Sequence, residues 1–306
     1  MTIGVFDGVH RGHQAILRRT VERAREKKGT SIVLTFSPHP QKVISPDQSP
    51  LILQTLRQKE RLIEKLSIDI LFRLPFTPEL SLVSPEQFVR QILSTQRIRE
   101  IYVGNNFRFG HRRAGTFKTL QILGEKFQFD VHNIMPVDFR GVRISSTVIR
   151  QAIQEGKVDV ARDLLGRPYQ VLGTVVQGAG KGKTIGFPTA NIDPANELVP
   201  AGGVYITRTH INCKAYASVT NIGIRPTLNP LGRPTSVVEI HLLDFSSNIY
   251  GKLVKLDFFC RLRDEKKFPD VEHLKKQIKE DVRQTRKYWA RIQRVSPGES
   301  NVGNHF

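Results

Sequence analysis

Along the first half of the chain, short apolar runs alternate with stretches in which apolar residues recur every three or four positions. MTIGV at the start reads as a strand, and QAILRRTVERAREKK as a helix with Ile16, Leu17, Val21 and Ala24 on one side. SIVLTF (31–36) is a compact buried-strand run, and 55–66 is amphipathic, with Leu56, Leu62, Ile63 and Leu66 apolar among charges. Residues 68–72 return to strand. Residues 84–93 read as a helix capped by Ser84, with Pro85 at its first position and Glu86 in its first turn, and 101–103 as a further strand. Such alternation predicts a parallel sheet covered by helices, with ligands at the carboxyl ends of its strands.

The helical period stops at LLGRPYQVLG (164–173), where Gly-Arg-Pro breaks it. Beyond it, YQVLGTVV, GGVYITRTHI, KAYASVTNI, SVVEIHLL and KLVKLDFF are β-branched and aromatic runs separated by Gly, Pro and Asn. They predict five or so strands in a small closed or nearly closed barrel. Residues 270–294 predict one long charged helix, with Val271, Leu274, Ile278, Val282, Tyr288 and Trp289 on its apolar face. The expected domains are an α/β unit over 1–166 and a barrel with its helix over 167–294, followed by a flexible tail over 295–306.

Composition narrows the function classes. A chain of 306 residues with 39% hydrophobic content can bury two cores. No apolar run approaches the ~18 residues of a membrane helix, and no secretory signal pattern opens the sequence. A cytoplasmic protein without a membrane partner is the expectation. Cys213 and Cys260 lack paired ligand spacing, which argues against a disulfide framework or a zinc site; each is expected as a buried strand residue. The net charge of +19 is divided almost evenly between the two halves. A nucleic-acid arm would concentrate it, whereas distributed positive potential suits polyanionic nucleotide substrates.

The candidate chemistry starts at FDGVHRGH (6–13), a glycine turn between the first strand and the first helix. Gly8 and Gly12 admit a ligand close to the backbone, the helix start offers N–H groups to an anion, and His10 and His13 can point at one phosphate. SPHP (37–40) and GNNFRFGHRRAGT (104–116) lie where loops follow strands; the second carries glycines, arginines, Asn106, Phe107 and Phe109. In RISSTVIRQAI (143–153), Ser145, Ser146 or Thr147 can cap a helix, and with Arg143 they also form a phosphate site.

GAGKGKTIGFPTAN (178–191) is glycine-rich but lacks the GxxxxGK[ST] spacing and precedes no predicted helix, so it is not a P-loop. Thr189 and Asn191, two apart on extended chain, face the same way and are hard oxygen ligands suited to Mg²⁺. On their own they also read as a plain turn. Glu239 is a carboxylate in an otherwise apolar strand, and must be paired, exposed on the far face or functional.

FDGVHRGH resembles the signature of the nucleotidyltransferase superfamily, and in its longer form that of bacterial FAD synthetases, the bifunctional riboflavin kinase/FMN adenylyltransferases. RISST is similar to their second signature, VGNNF followed by FG to a third, and GFPTAN to the PTAN signature of riboflavin kinases. The resemblance implies a Rossmann-like nucleotidyltransferase domain followed by a riboflavin kinase barrel. It implies ATP, riboflavin and FMN as substrates, FAD as product and Mg²⁺ as cofactor. Gly4, Phe6, Asp7, Gly8, Gly12, Asn106, Arg143, Ser146 and Thr147 would hold one nucleotide; Gly186, Phe187, Pro188, Thr189 and Asn191 would hold the other. His10 and His13 would stabilise the departing pyrophosphate, and Glu239 would be the general base on the ribityl hydroxyl. Arg263 and Glu265, in RLRDEKKF, would be flavin contacts. The chain departs from relatives at Lys183, often Arg, and at Asn248, often Asp; relatives usually also carry a longer segment before the first strand. Two other readings compete: a monofunctional adenylyltransferase whose barrel only binds flavin, and a basic nucleic-acid-binding protein, for which stacking signatures and recognition modules are lacking.

Overall fold

A computed structural model describes residues 1–93, 97–178, 182, 185–228 and 234–295; Lys183 and the expected tail beyond Val295 lie outside the described residues. The chain divides into two units, Met1–Ser146 and Thr147–Phe306.

In the first unit β1 (Thr2–Ile3), β2 (Ile32–Ser37), β3 (Ile70–Pro75), β4 (Glu100–Gly104) and β5 (Asp130–Ile134) pair in parallel in the order β3-β2-β1-β4-β5. Six helices accompany them among the described residues: α1 (Arg11–Glu26), α2 (Pro40–Ile44), α3 (Leu56–Glu64), α4 (Pro78–Ser81), α5 (Pro85–Phe88) and α6 (Phe117–Phe127). Adjacent strand residues serve opposite faces. Val33 packs with Leu17 of α1 and Ile63 of α3, while Leu34 packs with Phe88, Leu120 and Leu123 of α5 and α6. Strand order reverses between β1 and β4, and open parallel sheets bind ligands beyond the carboxyl ends of the strands at such a switch point.

Local chemistry fixes the helix starts. Thr55 and Gln58 form a reciprocal capping box on α3, and Ser84 and Gln87 form another on α5. The helix predicted over 84–93 is α-helical only to Phe88 and continues as a π-helical stretch, Val89–Leu93. The strand predicted over 68–72 runs instead from Ile70 to Pro75, because Ser67 turns at φ 61° and Asp69 is held by the Ser31 hydroxyl and N–H.

Arg23 of α1 reaches across to β4, where its Nη2 lies 2.8 Å from Glu100 Oε1 and its Nε 3.2 Å from the Tyr102 hydroxyl. These donors hold the Glu100 carboxyl at about 2, below its ordinary 4.5. A depressed carboxylate stabilises the fold fully above its unfolded value, and that contribution is lost as pH falls from 4.5 toward 2. Glu100→Gln is expected to cost on the order of 2 kcal/mol at neutral pH and to flatten this part of the acid limb in urea unfolding followed from pH 7 to pH 3.

The second unit contains α8 (Val158–Leu165) and, after the hairpin β6 (Asp138–Phe139) and β7 (Val142–Arg143), nearly all of α7 (Ser146–Gln154). Its strands β8 (Tyr169–Val176), β9 (Ala190–Pro194), β10 (Gly203–Ile211), β11 (Lys214–Leu228), β12 (Pro234–Leu242) and β13 (Leu253–Arg263) close into an antiparallel barrel in the order β10-β11-β12-β9-β8-β13. The sixth strand, β9, is the one that the apolar pattern did not separate from its loop. The C-terminal helix, Val271–Val295, packs on the outside: Trp289 meets Phe259 and Ile206, and Val282 meets Val204, Val219 and Leu243. Val271, expected on its apolar face, is half exposed.

Among the described residues, Thr207, Thr209, Ser218 and Thr220 bring four small hydroxyls into the barrel interior, all fully buried. Thr207 Oγ1 lies 2.8 Å from Ser218 Oγ and 2.7 Å from Thr220 Oγ1, and Thr209 Oγ1 lies 2.8 Å from Ser218 Oγ, so each hydroxyl has a partner. Cys213 corrects an expectation: it is exposed in the two-residue turn between β10 and β11, where Asn212 takes φ 53°, while Cys260 on β13 is half-buried.

Candidate functional site

In the first unit the signature residues gather where β1 ends. Phe6, Gly8 and Val9 all have positive φ, at 51°, 85° and 38°. Such backbone suits glycine and is costly for a β-branched residue, so neighbouring contacts must hold the turn. Gly4 leaves the space that the Phe6 ring fills. Asp7 is buried, and its Oδ1 accepts the Leu53 N–H at 3.0 Å.

His10 caps α1 by accepting the His13 N–H at Nδ1, 3.2 Å away. An imidazole that accepts at Nδ1 carries its proton at Nε2, on the opposite side of the ring. Gly12 lies against that ring, and the His10 and His13 rings stack with centroids 3.6 Å apart. No acidic residue occupies the first turn of α1, which leaves the positive end of the helix dipole uncompensated there.

RISST comes to the same turn. Ser146 Oγ donates to the Asp7 carbonyl at 2.9 Å, and Arg11 sits 5.0 Å from the Phe139 ring on the hairpin that ends at Arg143. Thr147 follows Ser146 in the first turn of α7. Asn106 is exposed in the tight turn after β4, beside the stacked Phe107 and Phe109 rings. His39 of SPHP caps α2, accepting the Gln41 N–H at 3.2 Å.

In the barrel, one cross-strand row carries the candidate residues. Asn191 on β9 pairs with Glu239 on β12, Glu239 with Asn221 on β11, Asn221 with Val204 on β10, and Val204 with Arg263 on β13. Directly opposed residues project from the same face. Val238 and Ile240 are buried inside, so Glu239 stands on the outer face, half-buried between two amides. Two residues on, His241 Nδ1 lies 2.9 Å from the Pro188 carbonyl, and its ring packs edge-on against Phe187, fixing the GFPT turn in which Gly186 has φ 84°.

The glycines before that turn are packing requirements. A Cβ on Gly178 would fall 1.8 Å from Asn191 Nδ2, and one on Gly182 would fall 2.8 Å from Thr189 Oγ1. Glu265 reaches back so that its Oε1 would lie 2.9 Å from a Cβ on Gly223. Arg263 stands in the Glu239 row but three strands away, roughly 14 Å at ordinary strand spacing. Its guanidinium grips Asp281 of the C-terminal helix, Nη2 to Oδ2 at 2.8 Å and Nε to Oδ1 at 3.0 Å. Asn248 caps a turn by accepting the Tyr250 N–H at 2.9 Å. Asn221 and His241 went unselected in the sequence, although both lie in or beside segments that stood out. The Thr189 hydroxyl and Asn191 amide oxygen are hard donors, and with ATP phosphates completing the shell that pair fits Mg²⁺.

Comparison with known proteins agrees with this division. Residues 1–148 match the family model described as FAD synthetase, and residues 165–289 match riboflavin kinase. The bifunctional riboflavin kinase/FMN adenylyltransferase of Haemophilus influenzae is 37% identical, over 92% of this chain and 91% of its own. Its counterparts from Bacillus subtilis and Escherichia coli K12 are each 35% identical, covering 96% and 94% of this chain and 93% and 92% of theirs. A crystal structure described as a macrolide-efflux protein from Streptococcus pneumoniae superposes with a TM-score of 0.86 at 31% identity, over 93% of both chains. Among the described residues no helix is long and apolar enough to cross a membrane. The chain belongs to the bifunctional riboflavin kinase/FMN adenylyltransferase family.

Proposed function

We propose that the barrel phosphorylates riboflavin to FMN with ATP, and that the parallel-sheet unit transfers AMP from a second ATP to FMN, giving FAD and pyrophosphate. The observation that carries the first step is the register that sets Glu239 between Asn191 and Asn221. Glu239 takes the proton of the ribityl hydroxyl as its oxygen attacks the γ-phosphorus in line and ADP leaves. Mg²⁺ held with Thr189 and Asn191 would neutralise charge on the ATP phosphates. Gly186, Phe187 and Pro188 form the turn that backs the nucleotide, and Glu265 and Arg263 border the flavin side.

The second step rests on the stacked histidines at the start of α1. The phosphate of FMN is already an anionic nucleophile, so no covalent enzyme intermediate is required. His10, His13 and Arg143 stabilise charge on the α-phosphate and the leaving pyrophosphate, while Gly8, Gly12, Ser146 and Thr147 bring backbone and hydroxyl donors to it. Asn106 contacts the nucleotide from the loop after β4. We place the functional boundary near residue 166, at the break after α8, and expect the protein to act in the cytoplasm without nucleic acid.

The test is the purified protein with riboflavin, ATP and Mg²⁺, flavins being separated by chromatography over time, and a parallel run begun from FMN. FMN followed by FAD is expected in the first run and FAD alone in the second. FAD only from added FMN would reduce the barrel to a flavin-binding module.

A further inference from the structure

The strained turn of the first signature is held from behind by a buried ammonium that no motif includes. Lys59 lies on α3, on a helix face that also carries Ile63, and is 9% exposed. Its Nζ reaches the Val5 carbonyl at 3.2 Å, the Thr35 hydroxyl at 3.3 Å and the Phe36 carbonyl at 3.4 Å. Val5 leads into FDGVHRGH after β1, and Phe36 leads into SPHP at the end of β2. One cation therefore ties together the two loops at the carboxyl ends of adjacent strands.

The neighbouring carbonyls are tethered as well. The Phe6 carbonyl accepts from Gln54 Nε2 at 3.2 Å, and the Asp7 carbonyl accepts from Ser146 Oγ at 2.9 Å. Three consecutive carbonyls of a positive-φ turn are thus each drawn onto a side chain. Only the Val5 tether includes a full charge, and burying that charge is costly unless it is placed for a purpose.

We propose that Lys59 is a positioning residue for AMP transfer: its ammonium fixes the Val5–Asp7 backbone and the start of SPHP so that His10 and His13 meet the triphosphate in register. This rests on the adenylyltransferase reading above. Three acceptors match the three N–H donors of an ammonium; a neutral amine has two and turns a lone pair toward the third oxygen. Burial pushes the Lys59 amine below its ordinary 10.5, opposed by the Asp7 and Glu60 carboxylates, the charged groups that face it. The tether depends on the protonated amine, so it weakens as pH rises, and burial moves that loss below the free-lysine range.

Lys59→Met keeps the stem and removes the charge. In steady-state assays begun from FMN and ATP, the variant is expected to lose about 10²-fold in kcat, the scale of a 1 Å misplacement of catalytic groups, with KM for ATP little changed. FMN formation from riboflavin in the same preparation should stay at the native rate. The native enzyme should show a fall in AMP transfer on the alkaline side, absent from the variant. Hydrogen exchange of peptides spanning residues 4–10 should be faster in Lys59→Met while barrel peptides keep their protection. Unchanged AMP transfer, an alkaline limb that survives the substitution, or unchanged exchange at 4–10 each overturn the proposal. A native protein that makes no FAD overturns instead the adenylyltransferase reading, and the exchange measurement then still decides whether Lys59 holds the turn.

Discussion

Replacing Glu239 by glutamine is expected to lower FMN formation by about 10²- to 10⁴-fold, the usual contribution of a positioned general base, while FAD formation from added FMN continues at the native rate. The amide has the shape of the carboxylate and occupies the same half-buried slot between Asn191 and Asn221, so the barrel should keep its fold. What the substitution removes is the carboxylate proposed to take the ribityl proton. A parallel assay begun from riboflavin and from FMN reads the two steps separately. Near-native FMN formation by Glu239→Gln would remove the general base from this strand and leave the register as architecture only.

The second large effect is in the other unit. His13→Ala is expected to reduce AMP transfer about 10²- to 10³-fold, as loss of one donor from a charge-stabilising site does, with riboflavin phosphorylation unaffected. His13 separates chemistry from folding better than His10. Removing the His10 ring also removes the side-chain cap of α1, which by itself costs about 1 kcal/mol. Equal losses of both activities in His13→Ala would mean that the substitution unfolds the protein, and circular dichroism would distinguish that outcome.

Much of the fold and of the candidate site was legible in the chain because the candidate residues sit in contiguous stretches. FDGVHRGH, RISST and PTAN carry their residue types at fixed short spacings, and a glycine turn between a strand and a helix advertises itself. The alternation of strand and helix over the first half predicted a parallel sheet for the same reason. The register predicted least well, since the pairing of Asn191, Glu239 and Asn221 joins residues on three strands far apart in sequence. β9 was hidden because ANIDP is short and polar, and reads as the end of its loop. Lys59 was invisible for a different reason. In an amphipathic helix a lysine is assigned to solvent, and only tertiary structure shows that this one turns inward to the ends of β1 and β2. Cys213 carried a usable signal: an asparagine before it, in a two-residue gap between β-rich runs, marks a hairpin turn.

The four hydroxyls sealed inside the barrel also act as a check on strand alignment. Thr207 opposes Ser218, and Thr220 lies two pairs further along the same ladder, on the same face. If β11 slipped by a single residue against its neighbours, Ser218 and Thr220 would swing outward, and Asn221 would be driven into the interior in their place. Each hydroxyl or amide then buried without a partner would cost about 1–3 kcal/mol. The alignment that satisfies the interior is also the one that puts Asn221 beside Glu239. Substituting valine for these hydroxyls would keep the barrel closed and its interior dry, yet remove the proofreading that sets Asn221 beside Glu239.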